Sequence, residues 1–254
     1  MKAVDFAEEL NLVLPADLPN RETVVRKAAE HLELIVAVNQ HLNLTRITTP
    51  REAAIKHVLD SVMPWRLFAG AKHVLDAGTG AGFPGIPLAL VLPDVRFTLA
   101  ESTQKKARFV ESALALLDLP NVTISASRAE DLAGKDLASK DLAGKDLAGK
   151  DLAGKDLPRK DLARKDLAGK DLARQGAIDL ITARALAPIP KVLELLGPAL
   201  KTRARALLYK GPDAEQEIAS AQKELKKFHM QAQVVMRYEL PDALGTRSIV
   251  EIRM

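Results

Sequence analysis

The 254-residue chain contains no cysteine, a single tryptophan and only 4% aromatic residues. The absence of cysteine excludes disulfide bonds, thiolate metal sites and any cysteine nucleophile. The scarcity of aromatic side chains argues against the broad base-stacking platform that single-strand binding proteins use. The five histidines are dispersed without the spacing of a ligand set, so the sequence predicts no metal site.

The chain also lacks an apolar run of transmembrane length, and its first ten residues carry acids where a signal peptide would be basic and then apolar. These features predict a cytoplasmic protein without a membrane partner, which we expect to be a monomer. The formal net charge of +4 and the pI near 9.2 are compatible with an anionic partner, but a soluble protein with a small excess of Lys and Arg would look the same.

The first 70 residues predict a helical segment packed on the rest of the protein. Residues 21–41 carry apolar side chains at helical spacing and contain neither Gly nor Pro, which indicates an amphipathic helix. A second helix is predicted to begin at Thr49 and Pro50, to be stabilised by a capping box with Glu52, and to end near Val62.

Three polar residues of this second helix, His57, Asp60 and Ser61, are spaced so that they share one face. A hydrolase triad is the tempting interpretation, but groups on one helical turn cannot form the line of nucleophile, base and orienting acid. We therefore interpret them as a polar cluster that faces a ligand site or holds the helix against the next domain.

From His73 onward, apolar strand patterns alternate with helical ones, and this predicts an α/β domain over residues 71–254 with a mostly parallel sheet. The two last strand patterns, 231–240 and 247–254, have no helix between them, so they are expected to pair as an antiparallel hairpin. A sheet closed by such a hairpin favours a Rossmann-like methyltransferase fold of seven strands over a dehydrogenase fold.

A tract of nine pentamers close to Asp-Leu-Ala-Gly-Lys interrupts this domain at residues 131–175. Five residues advance a helix by about 140°, so the leucines would spiral around it and form no apolar face. Glycine in most copies further weakens a helix. We expect a frayed solvated helix or disorder; a pentapeptide-repeat β-helix is disfavoured because lysine would occupy its small inward position.

The stretch from His73 to Leu90 is the one place where the residues alone imply a ligand. A short apolar strand runs into a turn with four glycines in eight residues and then into a helix, an arrangement that suits a nucleotide. The turn matches G-x-G-x-x-G, which NAD enzymes share. Asp76, Gly78 and Gly80 form the Asp-x-Gly-x-Gly pattern, which favours S-adenosyl-L-methionine because a carboxylate suits a cationic cofactor better than a pyrophosphate.

Five ordered blocks, DAGTGAGFPGIPLAL, TLAESTQKKARFV, SRAED, DLITARALAP and LLYKGP, carry a resemblance to a known family. Together they resemble the bacterial glucose-inhibited division protein B family, the 16S ribosomal RNA guanine-N7 methyltransferases, from about residue 43 to the C-terminus without the repeats. The resemblance implies methylation of N7 of a guanine in the 530 loop of 16S ribosomal RNA, nucleotide position 527, with S-adenosylmethionine as cofactor.

The resemblance also implies roles for individual residues. Arg184 would lie near the methionine end of the cofactor and the target base, as the residue closest to catalysis. The glycine-turn residues Gly78 and Phe83 would line the cofactor. Its ribose and adenine would be met by Glu101, Ser102, Thr103, Ala129 and Glu130. The positions expected to face RNA, in an isolated 16S RNA or in the small ribosomal subunit, are Lys105, Lys106 and Lys210.

The residues agree with this chemistry without establishing the substrate. Guanine N7 already presents a lone pair, so positioning can replace a general base. The absence of cysteine excludes cytosine-C5 methylation, which needs a thiol nucleophile. Two alternatives stay open at this stage: an NAD-type oxidoreductase built on the same glycine turn, and a ribosome-assembly factor that binds RNA without transferring a methyl group.

Overall fold

A computed structural model describes residues 5–133, 177–201 and 204–254. The repeat tract predicted at 131–175 lies outside these ranges except for its first three residues. The predictions for its conformation therefore concern residues outside the described ranges. Within the described ranges, no helix combines the length and the apolar character that crossing a membrane requires.

Seven strands form one sheet in the order β3-β2-β1-β4-β5-β7-β6. The first five strands pair in parallel, and β7 runs antiparallel to both β5 and β6. This arrangement confirms the predicted mostly parallel sheet closed by a C-terminal hairpin. The strands are β1 His73–Ala77, β2 Arg96–Ala100, β3 Val122–Ser125, β4 Leu180–Arg184, β5 Arg205–Lys210, β6 Gln231–Glu239 and β7 Thr246–Arg253.

Helices precede the sheet and connect its strands. Before the sheet come α1 Phe6–Val13, α2 Arg21–Leu42, a composite helix α3 and α4 Trp65–Phe68. Helix α3 consists of the α-helical Pro50–Ala53, the π-helical Ala54–Leu59 and the α-helical Asp60–Val62. The connecting helices are α5 Gly85–Val91, α6 Gln104–Leu117, α7 Ala129–Ala133, α8 Ile189–Leu200, α9 Ala214–Ser220 and α10 Gln222–Phe228.

The predicted capping box at the start of α3 is wrong, although the helix begins and ends where the sequence predicts. Thr49 occupies the N-cap position, but its side chain makes no capping hydrogen bond. Glu52 instead accepts a bond from Lys56 one turn later, at 2.6 Å, and an i, i+4 ion pair of this kind competes for the glutamate. The π-helical segment was also not predicted, and such segments occur frequently at functional sites.

The parallel strands place their carboxyl ends at one edge of the sheet, and this edge is where ligands bind in open α/β folds. Strand β1 is buried over its whole length, as expected for a central strand covered on both faces. One hydrophobic cluster includes residues from α1 and α2 as well as from the sheet and the hairpin. The N-terminal helices therefore share a core with the strands, and α3 is held beside the carboxyl edge.

Candidate active site

The turn between β1 and α5 adopts the backbone conformation that its glycines permit. Gly78, Gly80 and Gly82 have φ angles of +73°, +62° and +101°, a region that other residues enter only with strain. A Cβ atom at Gly80 would meet nothing within 4 Å, whereas one at Gly78 would approach Leu186 Cδ1 to 2.8 Å. The turn is thus open to a ligand at Gly80 and closely packed at Gly78.

Asp76 lies beneath this turn, fully buried. Its Oδ2 accepts hydrogen bonds from Thr79 Oγ1 at 2.7 Å and from the Gly85 amide at 2.9 Å. Its Oδ1 is also buried and has no hydrogen-bond partner among the described residues. Burial raises the pKa of Asp76 from its ordinary 3.8 to about 6, against the opposing effect of the Thr79 and Gly85 hydrogen bonds. At neutral pH the turn therefore sits over an ionised carboxylate that the protein compensates only in part.

Asp76 should make the unliganded protein less stable as the pH rises. The folded state holds the carboxyl proton up to about pH 6, while the unfolded chain loses it near pH 3.8, so rising pH favours unfolding in this interval. Relative to Asp76→Asn, which cannot ionise, the wild type should lose roughly 3 kcal/mol of unfolding free energy between these pH values. Urea denaturation of both proteins from pH 4 to pH 7.5 measures this. If the unfolding free energy of the wild type minus that of Asp76→Asn stayed constant or rose with pH, the assignment would be contradicted.

A cavity of about 740 Å³ opens over the carboxyl ends of β1, β4 and β5. It is lined by the glycine turn, by the loop before α3, by α3 itself and by the residues that follow β4 and β5. Apolar side chains from Leu44, Ile47, Phe83 and Pro188 contribute to its walls. The cavity thus joins the predicted cofactor turn to a second region, over β4 and β5, that has room for a further ligand.

Arg184, the last residue of β4, is anchored in this cavity through one nitrogen. Its Nη1 donates to the Lys56 carbonyl at 2.9 Å, to Asp60 Oδ2 at 3.2 Å and to Ser61 Oγ at 3.2 Å. Within the described part of the chain, Nε and Nη2 bond to no residue, and 16% of the side chain is exposed. The guanidinium is fixed in place while two of its nitrogens remain available to a ligand.

Asp60, on α3, connects Arg184 to both strands of the C-terminal hairpin. Only 3% of its side chain is exposed, and besides Arg184 it faces Arg247 Nε of β7 at 3.5 Å. Tyr238 of β6 donates its hydroxyl to Asp60 Oδ1 at 2.9 Å. The C-terminal hairpin and α3 therefore both determine where Arg184 lies. This arrangement agrees with the polar cluster predicted for α3, and Ser61 Oγ donates to the His57 carbonyl, so no triad forms.

Removing the Tyr238 hydroxyl should destabilise the fold measurably. Tyr238→Phe leaves the buried Asp60 carboxylate without one of its donors, and a hydrogen bond to a charged group contributes roughly 1 to 3 kcal/mol. The free energy of unfolding in urea should fall by that amount. As a matched control, Thr246→Val removes an exposed hydroxyl bonded to Glu239 on the same hairpin and should change stability by less than about 0.5 kcal/mol. Equal effects of the two substitutions would contradict the role given to Tyr238.

Two buried histidines support the glycine turn from the N-terminal helices. The His57 ring stacks on Phe83, with centroids 4.7 Å apart, and His31 Nε2 lies 2.9 Å from the Ala81 carbonyl oxygen. Burial, and then the nearby Arg184 charge, lowers the pKa of His57 to about 3, and burial lowers that of His31 to about 4. Both rings are neutral at physiological pH, so they pack and hydrogen bond without acting as acids.

The residues predicted for the ribose and adenine lie on the other side of the turn, after β2 and β3. Glu101 accepts the Gly80 amide at 3.2 Å and the Thr103 amide at 2.7 Å, so it fixes the turn to the end of β2. Ser102 and Thr103 are exposed there, and Ala129 and Glu130 begin α7 after β3. These positions adjoin β1 through the strand order β3-β2-β1.

The three lysines predicted to face RNA have different surroundings. Lys105 is exposed and Lys106 is half-buried on the first turn of α6. Lys210 instead lines the cavity with 10% of its side chain exposed, where its Nζ donates to the Ala187 carbonyl and to Glu217 Oε2, both at 2.7 Å. The basic character of Lys210 is therefore balanced by a carboxylate inside the site.

Several cavity residues were not singled out from the sequence, among them Lys56, Tyr209, Glu217 and Arg247. They lie on four different elements, and no short motif connects them. Their common signal is tertiary, because each follows or packs against the carboxyl ends of β4 and β5. Among the described residues, no group of three or more His, Asp or Glu side chains is arranged to hold a metal ion.

The sequence is similar to one family of ribosomal RNA enzymes. A family model described as GidB, rRNA small subunit methyltransferase G, matches residues 24–142 and 165–244. The ribosomal RNA small subunit methyltransferase G of Solibacter usitatus (strain Ellin6076) is 54% identical, over 98% of this chain and 99% of the relative. Its counterpart from Sorangium cellulosum (strain So ce56) is 36% identical, over 78% of this chain and 69% of the relative.

Solved structures with a similar fold include cofactor-bound Rv0187 from MTB, with a TM-score of 0.51 and 15% identity over 88% of this chain and 89% of that one. An O-methyltransferase from Bacillus cereus in complex with SAH has a TM-score of 0.50 and 15% identity, over 89% and 91% of the two chains. At this identity the likeness concerns the fold alone. It confirms the predicted Rossmann-like methyltransferase architecture.

Proposed function

The chain belongs to the GidB family of small-subunit ribosomal RNA methyltransferases, and from that premise we propose that it methylates N7 of a guanine in the 530 loop of 16S ribosomal RNA. S-adenosyl-L-methionine is the methyl donor. The observation that carries this proposal is the open glycine turn over the buried Asp76 carboxylate. The turn lines a cavity that also contains Arg184, whose guanidinium is hydrogen-bonded to the described residues through Nη1 only. The family match speaks against the oxidoreductase considered from the sequence.

The residues of the turn suit a cationic cofactor. Asp76 supplies negative charge, with one buried oxygen that the described residues leave without a partner, and Gly80 leaves space for a ligand to approach the backbone. Glu101, Ser102 and Thr103 are assigned to the ribose, and Ala129 and Glu130 to the adenine. The cofactor supplies an electrophilic methyl group on a sulfonium, for which a nearby carboxylate is favourable.

The rest of the cavity is assigned to the target base. Guanine N7 attacks with its own lone pair, so the protein must orient the base and exclude water and has no proton to remove from N7. The free Nε and Nη2 of Arg184 can donate to the ligands that meet above β4, and Asp60 keeps the guanidinium in place. The neutral His57 ring holds Phe83 against the same space.

The substrate is RNA of the small ribosomal subunit, and we further propose that the protein acts in the cytoplasm as a monomer, without a metal ion. Lys105 and Lys106, on the first turn of α6, are assigned to phosphate contacts, which would make binding weaken as salt increases. Lys210 is assigned to the base-binding half of the cavity because Glu217 holds it there.

The test is methyl transfer from tritiated S-adenosylmethionine to 30S subunits and, in parallel, to naked 16S RNA. We expect tritium in one guanine of the 530 loop with at least one of the two substrates. Calorimetric titration with S-adenosylhomocysteine and with NAD should show binding of the first only. Binding of cofactor and RNA without any transfer would support a ribosome-assembly factor instead, and NAD binding would support an oxidoreductase.

A further inference from the structure

We propose that Glu217 recognises the target guanine by accepting hydrogen bonds from N1–H and the N2 amino group of the base. The assignment rests on the proposed function and specifies how the same cavity selects its base. Glu217 lies on α9 and faces the cavity with 32% of its side chain exposed. It would be a specificity-determining residue on the side of the base away from the reacting N7.

The carboxylate is held in place through one oxygen only. Oε2 accepts the Ile189 amide at 3.1 Å and Lys210 Nζ at 2.7 Å. Oε1 accepts a hydrogen bond from no residue in the described ranges. These two bonds fix the side chain between the start of α8 and the end of β5. Oε1 is therefore held ready to accept hydrogen bonds from a ligand in the cavity.

The other carboxylate that lines the cavity is already fully engaged. Asp60 is almost completely buried and meets Arg184, Arg247 and the Tyr238 hydroxyl. Of the two lining carboxylates, Glu217 is thus the one with an oxygen left for a ligand. A guanine presents two adjacent N–H donors on its Watson–Crick edge, and the two lone pairs of Glu217 Oε1 can accept both of them.

The location of Glu217 fits the orientation that N7 transfer requires. The glycine turn follows β1, and Lys210, which binds Glu217, ends β5; β4 lies between these strands. Two strand spacings separate them, about 10 Å. On guanine, N7 belongs to the imidazole ring, and the N1 and N2 donors lie on the opposite side of the base. A base that turns N7 toward the glycine turn therefore turns its donors toward the end of the cavity where Glu217 lies.

This contact would also favour the reaction itself. The N7 lone pair forms the new bond to the methyl carbon, and the electron pair of the carbon–sulfur bond remains on sulfur, so the positive charge passes from sulfur to the purine. No proton leaves N7. The positive purine is a stronger N–H donor, and its hydrogen bonds to the carboxylate therefore strengthen in the transition state. Only interactions that strengthen in this way increase the rate of the chemical step.

The test pairs a protein variant with a base analogue. Small subunits are reconstituted with 16S RNA that carries either guanosine or inosine, which lacks the N2 amino group, at the methylated position. Single-turnover transfer is measured for wild type, for Glu217→Gln and for the control Glu215→Gln. Glu215 lies on the same helix but outside the cavity, paired with Arg237. Thermal unfolding establishes that both variants are folded.

We expect wild type and Glu215→Gln to prefer guanosine over inosine by about tenfold or more, because inosine leaves part of the carboxylate unpaired. In Glu217→Gln the transfer rate to guanosine should fall about 100-fold. The ratio of the transfer rate to guanosine over that to inosine should approach one. A folded Glu217→Gln protein that keeps the wild-type preference would overturn the assignment while leaving the proposed function intact. Absence of transfer by the wild type to guanosine RNA would contradict the proposed function itself.

Discussion

Gly78→Asp abolishes the binding of S-adenosylhomocysteine, with an expected loss of affinity of more than about 100-fold. The Gly78 φ of +73° is strained for any other residue, and a Cβ atom would lie 2.8 Å from Leu186 Cδ1. The turn must shift to accommodate the side chain, and a carboxylate is added two residues before Gly80, where the turn is open to the cofactor. Reshaping a site built on close backbone approach removes most of its binding energy.

Gly70→Asp is the matched control for this substitution. Gly70 also has a positive φ, +110°, but a Cβ there would meet nothing within 4 Å and the residue does not line the cavity. Backbone strain should lower its stability by roughly 1 kcal/mol, with cofactor affinity unchanged. Calorimetric titration of the wild type and both variants distinguishes a local loss of the site from general strain. Wild-type affinity in Gly78→Asp would refute the role of the turn.

Arg184→Ala should lower the single-turnover rate of methyl transfer by about 100-fold or more, which is the effect of removing one preorganised donor from an active site. Affinity for S-adenosylhomocysteine should change much less, because the hydrogen bonds of the glycine turn to Glu101 and Asp76 do not involve the guanidinium. The change should thus appear mainly in the rate at saturating cofactor.

Two further variants isolate this effect. Arg184→Lys retains the charge but not the planar fork that bonds to Lys56, Asp60 and Ser61 on one side and a ligand on the other, so it should recover little of the rate. Arg237→Ala removes an exposed ion pair with Glu215 and should transfer methyl groups at the wild-type rate. Transfer by Arg184→Ala at the wild-type rate would contradict the assignment of Arg184.

The sequence was sufficient to predict the parts of the fold that depend on local patterns. Apolar strands, the glycine turn and the missing helix before the last strand are features of contiguous residues, and each of these appears in the described part of the structure. Asp76 lies in β1 directly before the turn, and its hydrogen bonds are with Thr79 and Gly85. The sequence pattern gives the position of the acid and does not show which atoms it contacts.

The parts that the sequence could not predict depend on residues far apart in the chain. Asp60 meets Tyr238 across 178 positions, and Glu217 meets the α8 amide and Lys210 through folding of the β4 and β5 connections. Lys210 was predicted to face RNA from the family resemblance alone, whereas the carboxylate that binds it was not recognised. The capping box failed for a local reason, since Glu52 is paired with Lys56 one helical turn later.

The identity of the methylated nucleoside tests the central claim most directly. Small subunits from a strain without this modification are incubated with the protein and S-adenosylmethionine, the 16S RNA is digested, and the nucleosides are separated by mass spectrometry with the site mapped on the intact RNA. The account predicts one 7-methylguanosine per RNA, in the 530 loop, absent with Gly78→Asp. A methyl group on another atom or another base, or no methyl group at all, would contradict it.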